Sequence, residues 1–385
     1  MRVLIAFDKF KDALTARQAC AAAASGLRAN HPDWVLDLCP LTDGGEGFCE
    51  TLTRAAHGRF DQLDCSGPCG KKLSAALGHV STTHLPAPAR SQLELKCHTS
   101  LAVIEMAAVS GLALLPPSER DPWHTSSSGT GELIRHAANS GASAILLGVG
   151  GSATNDLGLG ALAALGFQFL NSGGSIIFPP TPATWEKIVR IDRSPATIVP
   201  PIFIACDVTN PLLGSRGATA TFGLQKGLSP TDLPRLEAEM SRMAALICEA
   251  NGKPLTLADT PGAGAAGGIA FGLVVAAGAR LVPGFDLVSA WLNLSDRIAA
   301  ADLVLTGEGR FDATSLGGKG PGSIVAAARH AGKAAHVFAG SVELSAGTLA
   351  RSGGKAHAIT PPAMPMPEAL QRTAELLTAA VVRIL

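Results

Sequence analysis

The sequence predicts an α/β protein of two domains, in which strands and helices alternate along most of the chain. Short runs of β-branched and aliphatic residues are followed by helical patterns, as expected for a parallel sheet flanked by helices. The length of 385 residues suits two domains. Apolar residues make up 47% of the chain and charged residues 16%, which excludes a disordered chain, and the 43 glycines favour a closely packed fold.

The parallel-type strands and the first two helices follow from local sequence patterns. Six strands of the parallel type are expected at residues 2–7, 34–39, 144–147, 202–206, 303–306 and 336–338. After the first strand, Thr15 and Gln18 have the spacing of a capping box, which predicts a helix from Thr15 to Leu27. A second helix carries Phe48 and Leu52, and Gly58 follows it as a stop signal.

The middle of the chain departs from this alternation. Residues 59–104 contain short strand patterns separated by Gly and Pro turns, which predicts an antiparallel or mixed arrangement. Residues 176–201 are rich in proline and predict an excursion over the surface. Residues 233–247 have apolar side chains at helical spacing and predict a core-facing helix. Residues 262–279 carry no charge, but their six glycines favour a buried helix over a membrane span.

The regular alternation returns near residue 286, and this return suggests how the chain is divided. We predict a first, discontinuous domain built from both chain ends, residues 1–72 and 285–385. A mixed α/β domain, residues 73–284, is then inserted into it.

Charge and cysteine usage narrow the function. The 31 Lys and Arg residues balance 31 Asp and Glu residues, which removes the basic surface expected of a protein that binds nucleic acid or a membrane. The eight cysteines include no CxxC pair and no secretory leader is evident, so we expect reduced thiols in a cytoplasmic protein. A small-molecule substrate is therefore predicted.

Polar and charged residues follow several of the predicted strands. Because parallel strands end at one edge of a sheet, residues just beyond them gather there. If the two domains face each other, we expect these loops around one shared cleft. The candidates are Asp8, Lys9 and Lys11; Asp43 and Glu46; residues 148–156; Asp207 and Asn210; and Glu308, Arg310 and Asp312.

Two glycine-rich stretches could hold an anion on backbone N–H groups. Residues 148–156 (GVGGSATND) lead from a strand into a helix, and Ser152, Thr154 and Asn155 add donors that suit a phosphate. Residues 126–131 (SSSGTG) precede another predicted helix. A tight turn with a capped helix is the alternative for either stretch.

A dehydrogenase is a competing interpretation. Residues 148–153 match GxGxx(G/A) and residues 262–267 match GxGxxG, whereas no GxxxxGK[ST] motif occurs. The first match lacks an acidic residue about twenty positions later. The second follows Pro261 rather than a strand, although Asp286 lies at a suitable distance. Close packing of a glycine-rich helix start explains the second match more simply.

The carboxylates favour phosphoryl transfer over hydride transfer. Phosphoryl transfer needs Mg²⁺ held by one or two carboxylates, and it needs another carboxylate that accepts the proton of the acceptor hydroxyl. The acids that fit are Asp43, Glu46, Asp207, Glu308 and Asp312, and we expect two of them to cap helices instead. The matching positive charges are Lys9, Lys11, Arg310 and Lys319. The histidines show no HExxH spacing and no GxSxG occurs, so zinc hydrolysis and a serine triad have no basis.

Nine motifs, taken in order, resemble the glycerate kinase type 1 family along the whole chain. They are AFDKFKDALTA, LTDGGEGF, IEMAAVSGL, TSSSGTGELI, GVGGSATNDLG, ACDVTNPLLG, FGLQKG, PGAGAAGG and TGEGRFDATSLGGKGP. The resemblance implies a flavodoxin-like domain formed by both chain ends, with an inserted α/β domain. It also implies ATP-dependent phosphorylation of D-glycerate, generally at the C2 hydroxyl. Phosphorylation at C3 or of a related hydroxy acid, and a non-catalytic sugar-acid sensor, stay as alternatives.

The sequence departs from the family pattern at a few positions. Phe7 and Leu224 stand where the family commonly has Pro, Asp12 and Leu157 where it has Gly, and Gly320 where a β-branched residue often occurs. Asp12 adds a negative charge near the first loop, and Leu157 adds bulk beside the glycine-rich loop. Because the acidic and basic residues of the motifs are kept, we expect activity, while these departures could change the affinity or the preferred acceptor.

The combined hypothesis assigns a role to each candidate. The nucleotide is expected on Gly150, Gly151, Ser152, Thr154, Asn155 and Lys319. Mg²⁺ is expected on a subset of Asp43, Glu46 and Glu308. Glycerate is expected on Asp8, Lys11, Asn210 and the stretch Ser128, Gly129, Thr130 and Gly131, with Lys9 or Arg310 near its carboxylate. Asp207 is expected to orient the C2 hydroxyl and accept its proton, with Asp43 as second choice. The sequence also allows a homo-oligomer.

Overall fold

The computed structural model describes residues 1–317, 320–345, 348 and 353–385. The described chain divides into two compact units. The first unit consists of Met1–Asp43 and Val288–Leu385, and the second of Gly44–Leu287. The fold is α/β, as the sequence predicts.

The strands of the described residues are numbered in chain order. They are β1 (Arg2–Phe7), β2 (Val35–Leu38), β3 (Arg59–Ser66), β4 (Lys72–Ser81), β5 (Ser100–Glu105), β6 (Ala144–Gly148), β7 (Gln168–Leu170), β8 (Arg190–Asp192), β9 (Ile202–Ala205), β10 (Arg280–Val282), β11 (Leu303–Phe311), β12 (Ala334–Val342) and β13 (Lys355–Ala358). All six predicted parallel-type strands are present, some of them longer or shorter by a few residues.

The α-helices of the described residues are numbered in the same way. They are α1 (Ala16–Asn30), α2 (Phe48–Ala55), α3 (Ala87–Gln92), α4 (Ala107–Ser110), α5 (Ser128–Asn139), α6 (Leu159–Ala164), α7 (Ala218–Phe222), α8 (Leu233–Asn251), α9 (Ala265–Ala277), α10 (Gly284–Trp291), α11 (Leu294–Ala300), α12 (Gly320–His330), α13 (Met366–Gln371) and α14 (Thr373–Ile384). Short 3-10 helices include Pro182–Lys187 and Leu224–Lys226. None of the helices in the described residues is both long and apolar enough to cross a bilayer.

The first unit is built on a five-stranded sheet in the order β13-β12-β11-β1-β2. All neighbouring strands are parallel. Strand β1 is fully buried from Val3 to Phe7, and α1 packs against α14. The direction of winding changes between β1 and β11. The switch point of this sheet, where ligands bind in open α/β folds, therefore lies between the ends of these two strands.

Helix α1 begins as the sequence predicts. The Thr15 side chain accepts a hydrogen bond from the Gln18 N–H, and the Gln18 side chain accepts one from the Thr15 N–H. This capping box satisfies two backbone donors that the first turn would otherwise leave without partners.

The second unit contains a six-stranded sheet in the order β10-β9-β6-β5-β4-β3. The pairs from β10 to β5 are parallel, whereas β4 pairs antiparallel with both β5 and β3. The mixed arrangement predicted for residues 59–104 is therefore confirmed.

The boundaries between the units differ from those predicted. The sequence placed them at 72/73 and 284/285, whereas the chain leaves the first unit after Asp43 and returns at Val288. The physical reason is the pairing of β3 with β4, from Arg59 opposite His79 to Ser66 opposite Lys72, which ties residues 59–72 to the sheet of the second unit.

The proline-rich segment 176–201 is only partly a surface excursion, and that prediction was wrong for its centre. Trp185 and Ile188 are fully buried, and the Trp185 indole N–H donates to the Pro180 carbonyl at 3.0 Å. The large apolar area of an indole stabilises the core when its N–H finds a partner. By contrast, Ile198 is 95% exposed and Phe178 is 69% exposed.

The helices predicted from apolar patterns are confirmed. Helix α8 buries Leu236, Met240, Met243 and Ile247 along one face. Helix α9 is buried over most of its length, and Gly267 comes so close to the Thr154 carbonyl that a Cβ would clash with it. The GxGxxG match at 262–267 is thus explained by close packing, as the sequence suggested.

Candidate active site

A cavity of about 820 Å³ opens at the carboxyl edge of the sheet in the first unit. It lies beyond the ends of β1 and β11, at the switch point of that sheet. Strand β1 pairs with β11 only as far as Phe7 opposite Gly307. Beyond that pair the chain turns away at residues 8–13, which frees the end of β11 to border the cavity.

One group of residues that line the cavity, which we call the charged wall, consists of predicted site residues. Its members are Asp8, Lys9, Lys11, Asp43, Glu308 and Arg310. The Lys9 ammonium lies 3.6 Å from an oxygen of the Asp43 carboxylate. The Asp8 carboxylate accepts a hydrogen bond from the Lys9 backbone N–H at 2.7 Å. The structure thus brings together in one unit six of the predicted site residues.

Glu308 is the most perturbed carboxyl group of the charged wall. Burial raises the pKa of Glu308 to about 7, and the carboxylates of Asp8, Asp312 and Asp43 act in the same direction against a hydrogen bond from Ser315. Its Oε1 atom is buried and has no hydrogen-bond partner among the described residues. A cation placed near this oxygen would offset both the burial and the repulsion.

Asp312 lies at the rim of the same cavity but has a structural role. Its carboxylate accepts hydrogen bonds from the Thr314 N–H at 2.8 Å and the Thr314 hydroxyl at 2.6 Å. These bonds hold the pKa of Asp312 below its usual value. Arg310 lies 3.1 Å from the same carboxylate. Asp312 therefore closes a turn with Thr314, which is a structural role other than the helix capping that the sequence predicts for two of the five acids.

A second group of residues that line the cavity, which we call the apolar wall, was not predicted from the sequence. It is formed by Pro321, Met366, Ala369 and Leu370. Pro321 lies in the first turn of α12, and the other three lie on α13. No local signal marks these residues, because only the tertiary fold brings α13 to the cavity. The predicted nucleotide ligand Lys319 lies outside the described residues.

The glycine-rich loop of the second unit is more buried than the sequence predicts. Thr154 and Asn155 have no exposed surface, and the Gly150 N–H donates to the Gly44 carbonyl at 2.9 Å. The expectation that this loop presents unblocked N–H groups is therefore wrong for Gly150. Gly151 is exposed, and a Cβ on it would lie 3.2 Å from an oxygen of Glu46, a predicted metal ligand.

Behind this loop lies a set of fully buried polar residues, which we call the buried network. Lys226 donates from Nζ to the Thr154 carbonyl at 2.7 Å and to the Asn155 side-chain oxygen at 3.1 Å. Burial lowers the pKa of Lys226 to about 7, although nearby Asp156 opposes this shift. Lys226 belongs to the FGLQKG motif, and that motif was the only sequence signal of its importance.

Asp156 is the second charged member of the buried network. Its carboxylate accepts hydrogen bonds from the Ser127 N–H and hydroxyl and from the N–H groups of Gly158 and Gly160. Burial raises the pKa of Asp156, whereas these hydrogen bonds lower it. The carboxylate thereby connects the loop before α5 to the first turn of α6.

The predicted glycerate site at residues 128–131 is also buried. Ser128 is 7% exposed and Thr130 is fully buried. The hydroxyl of Thr130 is hydrogen-bonded to that of Ser110 at 2.9 Å. A Cβ on Gly129 would clash with the Ser66 carbonyl, and one on Gly131 with the Ala161 carbonyl. These residues pack α5 against its neighbours and offer no open surface to a substrate carboxylate.

Two further candidates of the second unit hold local structure together. Both Asp207 carboxylate oxygens accept hydrogen bonds from the Phe285 N–H, at 3.1 and 3.0 Å, in the first turn of α10. Asn210 donates from its side-chain amide to the Arg216 carbonyl at 2.7 Å. Asp207 thus behaves as the helix-capping alternative foresaw.

The fold and the cavity define an α/β protein with a cavity, lined by charged side chains, at the switch point of a parallel sheet. Residues 3–385 match the glycerate kinase family, and the chain belongs to this family. The resemblance stated from nine motifs is therefore confirmed. Membership in a kinase family implies ATP as a substrate.

Curated relatives and a solved structure agree with this assignment. The chain is 39% identical to a glycerate kinase of Haemophilus influenzae, covering 88% of this chain and 86% of the relative. It is 38% identical to a glycerate 2-kinase of Escherichia coli, covering 92% and 88%. A crystal structure from Salmonella typhimurium LT2, provisionally described as glycerate kinase 2, is 36% identical with a TM-score of 0.77, covering 100% of this chain and 97% of that one.

Two of the departures that replace a family glycine fall at left-handed backbone. Asp12 has φ 61° and Leu157 has φ 56°, and both stand where the family commonly has glycine. The left-handed region costs a residue with a Cβ about 1–2 kcal/mol, less for Asp than for Leu. Leu157 is fully buried, so its apolar contacts offset this cost.

Proposed function

We propose that this chain transfers the terminal phosphoryl group of ATP to the C2 hydroxyl of D-glycerate, giving 2-phosphoglycerate and ADP. Family membership and the name of the Escherichia coli relative support the reaction. The observation that carries the proposal is the charged wall, whose three cations and three carboxylates line one cavity together with the further acids Asp12, Asp312 and Glu343. Phosphoryl transfer depends on such charges more than on covalent chemistry by the protein.

The cations of the charged wall suit the phosphates of ATP and the carboxylate of glycerate. Lys9, Lys11 and Arg310 would neutralise the negative charges of these phosphates and of this carboxylate when both substrates are bound. Lys9 is held by its contact with Asp43, which fixes its position before substrate binds. Arg310 is oriented by Asp312. These contacts prepare the positive charges, so less reorganisation is needed when the reaction begins.

Magnesium is part of the proposed reaction. The described residues contain no group of three or more His, Cys, Asp or Glu side chains arranged to hold a metal ion by themselves. A kinase site does not need one, because Mg²⁺ is usually held by one or two carboxylates together with phosphates and water. Asp43 and the unpartnered oxygen of Glu308 fit this role, with Glu46 of the second unit as a further candidate. When bound, the ion would neutralise charge on the phosphates.

The remaining roles from the sequence stay proposals. Asp207 is proposed to accept the C2 hydroxyl proton, and Gly151 and Ser152 are proposed to contact phosphate. The Thr154 hydroxyl and the Asn155 side-chain nitrogen are buried without hydrogen-bond partners among the described residues, which leaves both able to bind an added oxygen. A cytoplasmic location and a homo-oligomer are likewise proposed.

Phosphorus NMR of the product tests the proposal. The purified chain is incubated with D-glycerate, ATP and Mg²⁺, and the proton-coupled spectrum is recorded. A phosphate on C2 couples to one proton and gives a doublet, whereas a phosphate on C3 couples to two and gives a triplet. We expect the doublet. A triplet would show that the C3 hydroxyl is phosphorylated instead of the C2 hydroxyl. The absence of any glycerate-dependent product would refute the kinase activity.

A further inference from the structure

The cavity of the first unit is larger than a three-carbon acid needs. Its volume of about 820 Å³ lies within the range of about 300–1,000 Å³ that accommodates drug-sized ligands. Glycerate alone would leave most of this space to water. The cavity therefore suits a larger substrate, and ATP is the larger substrate of the proposed reaction.

The two walls of the cavity differ in the way that the two ends of a nucleotide differ. The charged wall carries Lys9, Lys11 and Arg310, which suit phosphates. The apolar wall carries no charge and suits a flat aromatic ring. A cavity of one chemistry would fit either a small acid or an apolar ligand, whereas this one fits a molecule that combines an anionic end with an aromatic end.

Two side chains of α13 present apolar surface to the cavity. Met366 is 68% exposed, and Leu370 lies one turn later on the same helix. Residues four positions apart share one face of a helix, so the two side chains form a continuous surface. The thioether of methionine packs well against aromatic rings, at about 0.3–1.5 kcal/mol per contact.

A second helix also contributes an apolar residue to the cavity. Pro321 is buried in the first turn of α12, yet it borders the same cavity as Met366. Its ring is rigid and has no backbone N–H to satisfy, so it can contact a ligand ring without the loss of a hydrogen bond. The apolar wall thus has contributions from two helices.

We propose that Met366, Leu370 and Pro321 bind the adenine ring of ATP. The inference rests on the proposed kinase function and adds to it the surface that recognises the base. It places the phosphates beside Lys9, Lys11 and Arg310, because these cations line the same cavity.

Steady-state kinetics of Met366→Ala and Leu370→Ala test the proposal. We expect the KM for ATP to rise about tenfold, while kcat and the KM for glycerate change by less than about twofold. Val382→Ala is the matched control, because Val382 is an apolar residue of the first unit, 37% exposed, that does not line the cavity. The control should leave all three constants unchanged. Since Met366 is mostly exposed, its variant should fold normally even if Leu370→Ala does not.

Inorganic tripolyphosphate distinguishes binding of the adenine ring from binding of the phosphates, because it carries the phosphate charge and has no ring. As a competitive inhibitor against ATP, it should bind the wild type and both variants equally. The inference is overturned if both variants keep the KM for ATP of the wild type. It is also overturned if tripolyphosphate weakens together with ATP, or if the KM for glycerate rises instead.

The binding of a non-hydrolysable ATP analogue, measured by calorimetry, distinguishes failure of this inference from failure of the proposed function. If the wild type does not phosphorylate glycerate, the proposed function fails, and weaker analogue binding by Met366→Ala still supports the adenine surface. If the wild type is active but analogue binding is the same for wild type and both variants, only the adenine surface is refuted.

Discussion

The loops after β1 and β11 and the glycine-rich loops of the second unit read alike in the sequence, but they differ in the structure. Both follow strands and combine glycine with polar residues. The first set borders an open cavity with Lys9 and Glu308, whereas in the second set Thr154, Asn155 and Thr130 are fully buried. The comparison shows that such a loop can serve either a ligand or the packing of helices against strands. The exposure of the loop side chains distinguishes a loop that can bind a ligand from one that packs helices against strands.

The substitution Lys9→Met should have the largest effect, because it removes a cation of the charged wall. We expect kcat/KM to fall by about a hundredfold or more, since the charge near the phosphates is lost. The free energy of unfolding should change little because the side chain is on a cavity rim. The measurement is glycerate-dependent release of ADP.

Lys253→Met is the control for Lys9, since Lys253 is an exposed lysine of the second unit. It should retain wild-type activity. If Lys9→Met were as active as this control, the charged wall would have no part in the reaction.

Asp207→Asn tests whether the second unit also contributes chemistry. If Asp207 accepts the hydroxyl proton, the substitution should lower kcat by about a hundredfold and leave the fold intact. If Asp207 only caps α10, the substitution should instead lower the free energy of unfolding by about 1 kcal/mol and leave turnover nearly normal. Turnover and urea unfolding of the same sample decide between these roles, and normal turnover would remove Asp207 from the mechanism.

Asp156→Asn should affect stability rather than chemistry. The carboxylate accepts four hydrogen bonds in the interior, and an amide nitrogen in place of one oxygen leaves a donor without an acceptor. We expect a loss of about 1–3 kcal/mol in the free energy of unfolding. Exposed Asp64→Asn is the control and should cost less than about 0.5 kcal/mol. Equal stability of the two variants would contradict the buried network.

The pH dependence of stability should reveal the buried Lys226. Its pKa is lowered to about 7 in the folded chain from an ordinary value of 10.5. Between these values the unfolded chain binds more protons, so the contribution of Lys226 to stability rises with pH from about 7 to 10. The difference in unfolding free energy between wild type and Lys226→Met should therefore grow over this range. A constant difference would contradict a buried amine with a depressed pKa.

Much of the fold could be predicted from local patterns, because many strands of the two larger sheets are apolar runs. The segment 2–7 is an example, with identical predicted and observed bounds. Strand β13 (KAHA) was missed because it is short and half polar, and it becomes a strand only by pairing with β12. The boundary at Asp43 was missed for a similar reason, since the pairing of β3 with β4 leaves no local mark.

The site could be predicted only where charge is exposed. The charged wall follows from strand ends, and its members lie around one cavity. The burial of Lys226 could not be foreseen, since lysine is seldom buried and its partners, Thr154 and Asn155, are distant in sequence. Met366 and Leu370 were missed because the apolar wall exists only after α13 packs beside the cavity.

Hydrogen–deuterium exchange with and without Mg²⁺ and a non-hydrolysable ATP analogue tests the central claim most directly. The account predicts that peptides covering residues 8–13, 308–315 and 366–373 become protected when the nucleotide binds. Protection confined to residues 126–131 and 148–157, with no change around the cavity of the first unit, would contradict it.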